Sequence, residues 1–205
     1  MNVLNYSENR ISTYNAALVL IDYQEGTVKS SSAASVDDFK NNALALAKLG
    51  IVHELPTVIT SSYHQGPNGP IMPELLDLYP NVQVIHRFGQ ISAWDNPEFV
   101  QAIRATNRKN LIMAGVKADV SLAYPAMQAA ASGFNVYAVI DASGAENVLE
   151  QQVTIARLSR NGVIPVTLLM IAAELQRDWR LPTSEATKEV LSTYLSNNRR
   201  GIVTE

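Results

Sequence analysis

The stretch LIMAGVKADVSLAYP, residues 111–125, decides the fold. Its apolar run, Leu-Ile-Met-Ala, ends at Gly115; a turn containing Asp119, Val120 and Ser121 follows; then a small-residue segment, 123–131, reads as helix. A buried strand, a tight turn and a helix make half of a βαβ unit. In such a unit ligands bind beyond the carboxyl end of the strand, and the helix N-terminus favours negative charge. Ser121 is placed there with its hydroxyl. Asp119 is the expected N-cap, since its carboxylate can accept orphan N–H groups. Pro125 requires the helix to begin close before it, because a mid-helix proline breaks the backbone ladder. Ser121 therefore falls near the first turn, as either an ordinary helix-start residue or a reacting hydroxyl.

Toward the N-terminus, AALVLID (16–22) is a continuous apolar strand ending in a carboxylate. Continuity rather than alternation predicts burial on both faces. Asp22 is then either a catalytic acid or base at the ligand edge or a cap for the turn Tyr23-Gln24-Glu25-Gly26. The 3.6-residue spacing of Phe39, Ala43, Leu46 and Leu49 predicts an amphipathic helix over 36–49, with Gly50 as its stop. PTVITSS (56–62) is a second strand, rich in β-branched residues. The Gly/Pro-rich loop 63–73 is long enough to border a pocket, and its His64 is either a ligand contact or a solvated side chain. A short helix over 73–79 precedes a third strand, VQVIHR (82–87), with a cation at its end. Arg87 reads either as an active-site guanidinium beside a stacking Trp94, or as a surface arginine near a core tryptophan. Asn96-Pro97 opens a helix well, with asparagine as N-cap, proline in the first turn and Glu98 at the positive dipole end.

Beyond the central stretch, NVYAVID (135–141) is a fifth strand and again ends in aspartate, followed by Ala142-Ser143-Gly144. A helix over 146–160, a sixth strand over 162–169 and a last core helix over 171–179 follow, with Trp179 expected in core or interface packing. The chain from Pro182 onward reads as a tail with one polar-faced helix around 185–195. No repeat, low-complexity segment or linker divides the chain, so residues 1–205 are expected to form one domain with 182–205 as a C-terminal helical tail. Strands alternating with helices predict a doubly wound, six-stranded, mostly parallel sheet with helices on both faces. Right-handed crossovers then bring the ends of strands one, three and four, with Asp22, Arg87 and Ser121, to one edge.

Composition narrows the function. In 205 residues, 47% are hydrophobic and 17% charged, enough for a sizeable core. A net charge of −3 and no basic cluster beyond Arg199-Arg200 give no reason to expect nucleic acid. No apolar run approaches the length of a membrane span, and MNVLNYSENR does not read as a signal peptide, so a cytoplasmic location is expected. There is no cysteine, which excludes disulfides and thiolate chemistry. The three histidines, His53, His64 and His86, are scattered, and no metal or cofactor is expected. IDYQEG lacks both the dinucleotide and the Walker phosphate-loop patterns.

The segments LVLIDYQ (18–24), GPNGP (66–70), HRFGQISAWDNPEFV (86–100), AGVKADVSLAYPA (114–126), DASG (141–144) and ELQRDW (174–179) together resemble the isochorismatase-like cysteine hydrolase family, in its YcaC-like branch. The resemblance covers roughly residues 16–180. It implies a Rossmann-like α/β hydrolase fold acting on a small-molecule substrate, mostly at amide-like C–N bonds. It places an aspartate on Asp22, the basic residue after the third strand on Arg87 and the nucleophile position on Ser121. Gln24, Trp94, Val116 and Lys117 are the expected substrate-contacting positions, Lys117 being unusual for the motif, and the resemblance implies a cis peptide at Val116-Lys117. Metal-binding relatives carry an Asp-x-His cluster after the second strand, which TSSYHQGPNGP lacks. Relatives in this branch form ring-like homo-oligomers, commonly octamers, and the same is expected here.

One departure bears on function: serine stands where the family has its cysteine. A thiol begins near a pKa of ~8.5 and reaches the thiolate beside a cation and a helix N-terminus. A serine hydroxyl begins many units higher and needs a strong positioned base. Asp22 next to Arg87 is expected to be a weak base, because the cation lowers its pKa. Thiol-type chemistry should therefore be slow or absent. Three accounts stand open: a cysteine exchanged by design, a silent or ligand-binding (or structural) relative, or nucleophile-free chemistry in which the aspartate protonates a vinyl ether and water attacks.

Overall fold

The computed structural model describes residues 10–29 and 36–200. Six strands, β1 (Ala16–Ile21), β2 (Thr57–Ser62), β3 (Ile85–Arg87), β4 (Asn110–Gly115), β5 (Asn135–Val139) and β6 (Ile164–Val166), form a sheet of order β3-β2-β1-β4-β5-β6. Every neighbouring pair is parallel, so the sheet is parallel throughout rather than mostly so. The winding reverses between β1 and β4, and this topological switch point is where open α/β sheets bind ligands. The strands that flank it are buried at every residue, which is why both read as unbroken apolar runs.

Eight helices accompany them among the described residues: α1 (Glu25–Lys29), α2 (Val36–Val52), α3 (Pro73–Leu78), α4 (Pro97–Ala105), α5 (Ala123–Ala131), α6 (Val148–Arg160), α7 (Leu168–Gln176) and α8 (Ser184–Arg200). Alternate residues of each strand face opposite sides. Leu18, Leu20, Ile59, Ile112 and Ala114 pack with α2, α3, α7 and α8. Ala17, Val19, Ile21, Leu111 and Met113 pack with α4, α5 and α6.

Several boundaries differ from the expectation for definable reasons. Gly50 does not stop α2, which continues to Val52. A Cβ there would lie 2.6 Å from a Leu18 methyl and 2.8 Å from the Tyr79 hydroxyl, so the glycine serves close helix-to-sheet approach. The α2 helix is followed instead by a left-handed residue, Glu54, at φ 52°. β3 is only three residues long, because the Val82 N–H bonds back to the Tyr79 carbonyl in a turn. β5 ends at Val139, where the chain tightens into a 3₁₀ turn over Ile140–Ala142. β6 is short, and it contains Pro165, which an edge strand tolerates. Thr167 caps the next helix by accepting the Met170 N–H, so α7 starts at Leu168. It ends before Arg177 at φ 54°, which leaves Trp179 outside the core and 52% exposed, with the Lys188 ammonium 5.9 Å from its ring centre. The C-terminal helix is docked rather than merely polar-faced: Thr187, Val190, Leu191 and Tyr194 are buried against the sheet side that also carries α2. The side chain of Phe39 lies outside the described residues.

Candidate active site

Asp22 is the first residue after β1. Its backbone is left-handed, φ 61°, a conformation aspartate tolerates better than most side chains do. The turn is fixed on both sides. The Asp22 N–H donates to Thr60 O at 2.9 Å, while its carbonyl accepts from Gln24 N–H at 2.7 Å and Thr27 Oγ1 at 2.9 Å.

Arg87 ends β3, with β2 lying between it and β1. Its side chain crosses β2 and is completely buried, which overturns the surface-arginine reading. The guanidinium is satisfied along this path. Nε donates to Thr60 Oγ1 at 3.2 Å, Nη1 donates to the carbonyls of Gln90 (2.8 Å) and Ile91 (3.1 Å), and Nη2 pairs with Asp22 Oδ1.

Ser121 comes from a π-type turn, Ala118–Leu122, that leads into α5. Its Oγ donates to Asp22 Oδ2 at 3.0 Å. Gly115 makes this turn possible: a Cβ on it would lie 2.9 Å from Leu122 N and 3.1 Å from the Ser121 carbonyl carbon. Pro125 follows directly, where its missing N–H falls opposite the Ser121 carbonyl. Asp119 is not the N-cap. The helical path already begins at Ala118, so Asp119 lies inside the turn, and its Oδ1 is buried without a hydrogen-bond partner.

Burial pushes the Asp22 carboxyl above the usual carboxylate range; the Arg87 charge and the hydrogen bonds from Arg87 and Ser121 oppose this without cancelling it. The expected lowering by arginine alone is thus incomplete, because a surface carboxylate would keep the water that Asp22 has lost. A carboxyl held this way exchanges a proton nearer neutrality than an ordinary aspartate does.

The other sequence-derived positions are three buried or packed side chains and one at the surface. Gln24 is fully buried and spends its amide on backbone: Nε2 donates to Ser62 O (2.9 Å) and Gly69 O (2.5 Å), and Oε1 accepts from Ser62 N–H (2.8 Å). It holds the glycine- and proline-rich loop onto the end of β2. Trp94 packs edge-on against Phe99 and Phe134, as a core tryptophan would. Val116 is buried between β1 and the segment after β5, its N–H donating to Ile21 O and its O accepting from Gly144 N–H. Lys117 is partly exposed, its ammonium 2.7 Å from Glu146 Oε1, a contact that raises its pKa. The Val116-Lys117 peptide is not cis, nor is any other among the described residues. His64 stacks on His86, ring centres 3.9 Å apart. Among the described residues no three histidine, aspartate or glutamate side chains converge as a metal site would require.

Three participants were not singled out from sequence. Thr60 accepts from Arg87 Nε, Ser143 accepts from the Gly115 N–H, and Tyr23 donates to the Ala142 carbonyl. A hydroxyl in a parallel-sheet interior, as at Thr60, is the one available signal, since a buried polar group needs a partner.

An acid, its buried cation and a hydroxyl at the head of the next helix thus meet at the switch point of a doubly wound, parallel α/β sheet. The chain belongs to the isochorismatase family: the isochorismatase domain model matches residues 16–168. Within it the likeness is to the YcaC branch. The chain is 42% identical over 189 residues to the probable hydrolase YcaC of Escherichia coli K12, covering 92% of this chain and 88% of that protein. The crystal structure of the E. coli YcaC gene product, described as an octameric hydrolase of unknown specificity, superposes with a TM-score of 0.88 at 39% identity and 95% coverage of both chains. YcaC from Pseudomonas aeruginosa, solved with hexane-2,5-diol and covalent acrylamide, gives 0.88 at 39% identity, covering 96% and 98%. No described helix is long and apolar enough to cross a membrane.

Proposed function

We propose that this protein hydrolyses a small molecule at an amide-like C–N bond, with Asp22 moving the proton, Arg87 holding Asp22 and Ser121 at the position of the attacking group. The observation that carries this reading is the 3.0 Å bond from Ser121 Oγ to an Asp22 carboxyl whose pKa burial has raised. Such a carboxylate accepts the hydroxyl proton as oxygen attacks the carbonyl and returns it to the leaving amine; water then releases the acyl group. Serine remains far less acidic than a thiol, so turnover is slow. The acrylamide held covalently by the P. aeruginosa relative supports both a reactive position and a small amide-sized ligand in this branch. In this reading Gln24, Trp94, Val116 and Lys117 are the positions that meet the substrate, Gln24 through the loop it holds on the end of β2. The reading includes a homo-oligomer, as the octameric relative suggests, acting in the cytoplasm without metal or cofactor.

The same raised pKa favours a second reading, in which protonated Asp22 donates to a vinyl ether and water attacks without a protein nucleophile. A panel of small primary amides and vinyl ethers separates the two. Amide turnover abolished by Ser121→Ala supports the first; vinyl-ether turnover that survives Ser121→Ala but not Asp22→Asn supports the second. No turnover of any member by the wild-type chain or by Ser121→Cys overturns both and leaves a ligand-binding or structural role.

A further inference from the structure

We infer that Ser143 and Tyr23 are positioning residues that together set the distance between Asp22 and Ser121, an inference that rests on the reading of that pair as the reacting site. The segment 115–118, between β4 and the π turn, is pinned at four points. The Gly115 N–H donates to Ser143 Oγ at 3.2 Å, Val116 N–H to Ile21 O at 3.0 Å, Gly144 N–H to Val116 O at 3.2 Å, and Ala118 N–H to Gly144 O at 2.7 Å. Three of these four bonds come from Ser143 and Gly144. The fourth reaches the residue immediately before Asp22.

Ser143 is itself fixed, because its hydroxyl donates to Val139 O at 2.8 Å while accepting from Gly115. It is buried, so no water substitutes freely for it. Tyr23, next to Asp22 and fully buried, donates from Oη to Ala142 O at 2.6 Å. The chain segment that holds the serine turn is thus tied back to the residue beside the carboxylate. Gly115 lies so close under the serine turn that a Cβ on it would come within 3.1 Å of the Ser121 carbonyl carbon, so a shift of Gly115 bears on the Ser121 backbone. Ser143 and Tyr23 each bond to the backbone around the site, and their side chains also bond to one another, which joins the two halves of the clamp.

The test uses two readouts. The first is the titration of the Asp22 carboxyl carbon by NMR in the unaltered chain, in Ser143→Ala and in Tyr23→Phe. Loosening the clamp withdraws the Ser121 donor from the carboxylate, so the Asp22 midpoint moves up in both variants. An unmoved midpoint in both folded variants overturns the inference; where Ser143→Ala fails to fold, Tyr23→Phe, which keeps the ring, decides alone. The second readout is iodoacetamide labelling of Ser121→Cys, which each added substitution slows severalfold at neutral pH. A parent thiol with an ordinary pH profile overturns the nucleophile reading, and the Asp22 titration then judges the clamp independently.

Discussion

Ser121 Oγ and Asp22 Oδ2 lie 3.0 Å apart, joined by a hydrogen bond between residues 99 positions apart in the chain. The other oxygen of that carboxylate is held by Arg87, so Asp22 has one fixed partner and one that can exchange a proton.

Ser121→Cys tests this arrangement directly. The chain has no cysteine, so the introduced thiol is read without background. The helix beginning at Ala118 and the buried Arg87 both favour thiolate, and the volume change is small. Iodoacetamide should label it faster at neutral pH than a cysteine at the exposed helix position Ser192, and amide turnover should rise above that of the serine chain. Equal labelling rates in two folded variants would refute the assignment.

Arg87→Met should destabilise the fold by about 3–5 kcal/mol near neutral pH, because it leaves the Asp22 carboxylate buried without its counter-charge. The sign of the pH dependence is fixed by the raised Asp22 pKa. Protonated Asp22 fits the folded state, so stability from this group is present at low pH and lost as pH rises through its folded value. Urea unfolding at pH 5 and pH 8 should therefore show the larger loss at pH 8. A loss that is the same at both would contradict the account.

Gly115→Ala should disturb the site without touching any polar group in it. The new methyl meets backbone atoms of Ser121 and Leu122, which cannot rotate away. We expect about 1–3 kcal/mol of lost stability from overpacking. In the Ser121→Cys background, labelling should become slower. Unchanged labelling kinetics would show that the turn absorbs the methyl elsewhere.

His53 provides a pH test away from the site. It is buried, Nε2 lies 3.2 Å from Thr187 Oγ1 of α8, and burial lowers its pKa. Its folded pKa lies below the unfolded value of about 6.5, so its contribution is full above that value and is lost as pH falls toward the folded one. The unfolding midpoint of the wild-type chain should fall over this window more steeply than that of His53→Gln. Parallel curves would mean that the imidazole stays uncharged in both states.

The parallel sheet was legible because β1 and β4 are buried on both faces and so carry unbroken apolar runs. Asp22, Arg87 and Ser121 were legible because strand ends are marked by where such runs stop. The short strands were not: Val82 and Val84 fit a strand by composition, yet a backbone turn from Tyr79 claims the first of them. Gly50 looked like a helix stop because glycine usually is one, whereas here its missing side chain makes room for Leu18. The direction of the Asp22 shift was not legible for a related reason. A sequence shows the nearby cation but not the loss of water, and burial outweighs the cation.

The strand order gives Arg87 two duties that a single positive charge could not perform. With β2 between it and Asp22, the side chain must be long, and its planar fork binds Asp22 with one nitrogen while another gathers the Gln90 and Ile91 carbonyls. Counter-ion and loop anchor are therefore the same group, and neither can drift in sequence without the other. Lysine, a point charge without the fork, separates the two duties. Arg87→Lys would keep the carboxylate's neighbour but free the chain after β3, so amide exchange around Gln90 would quicken while Asp22 remained countered.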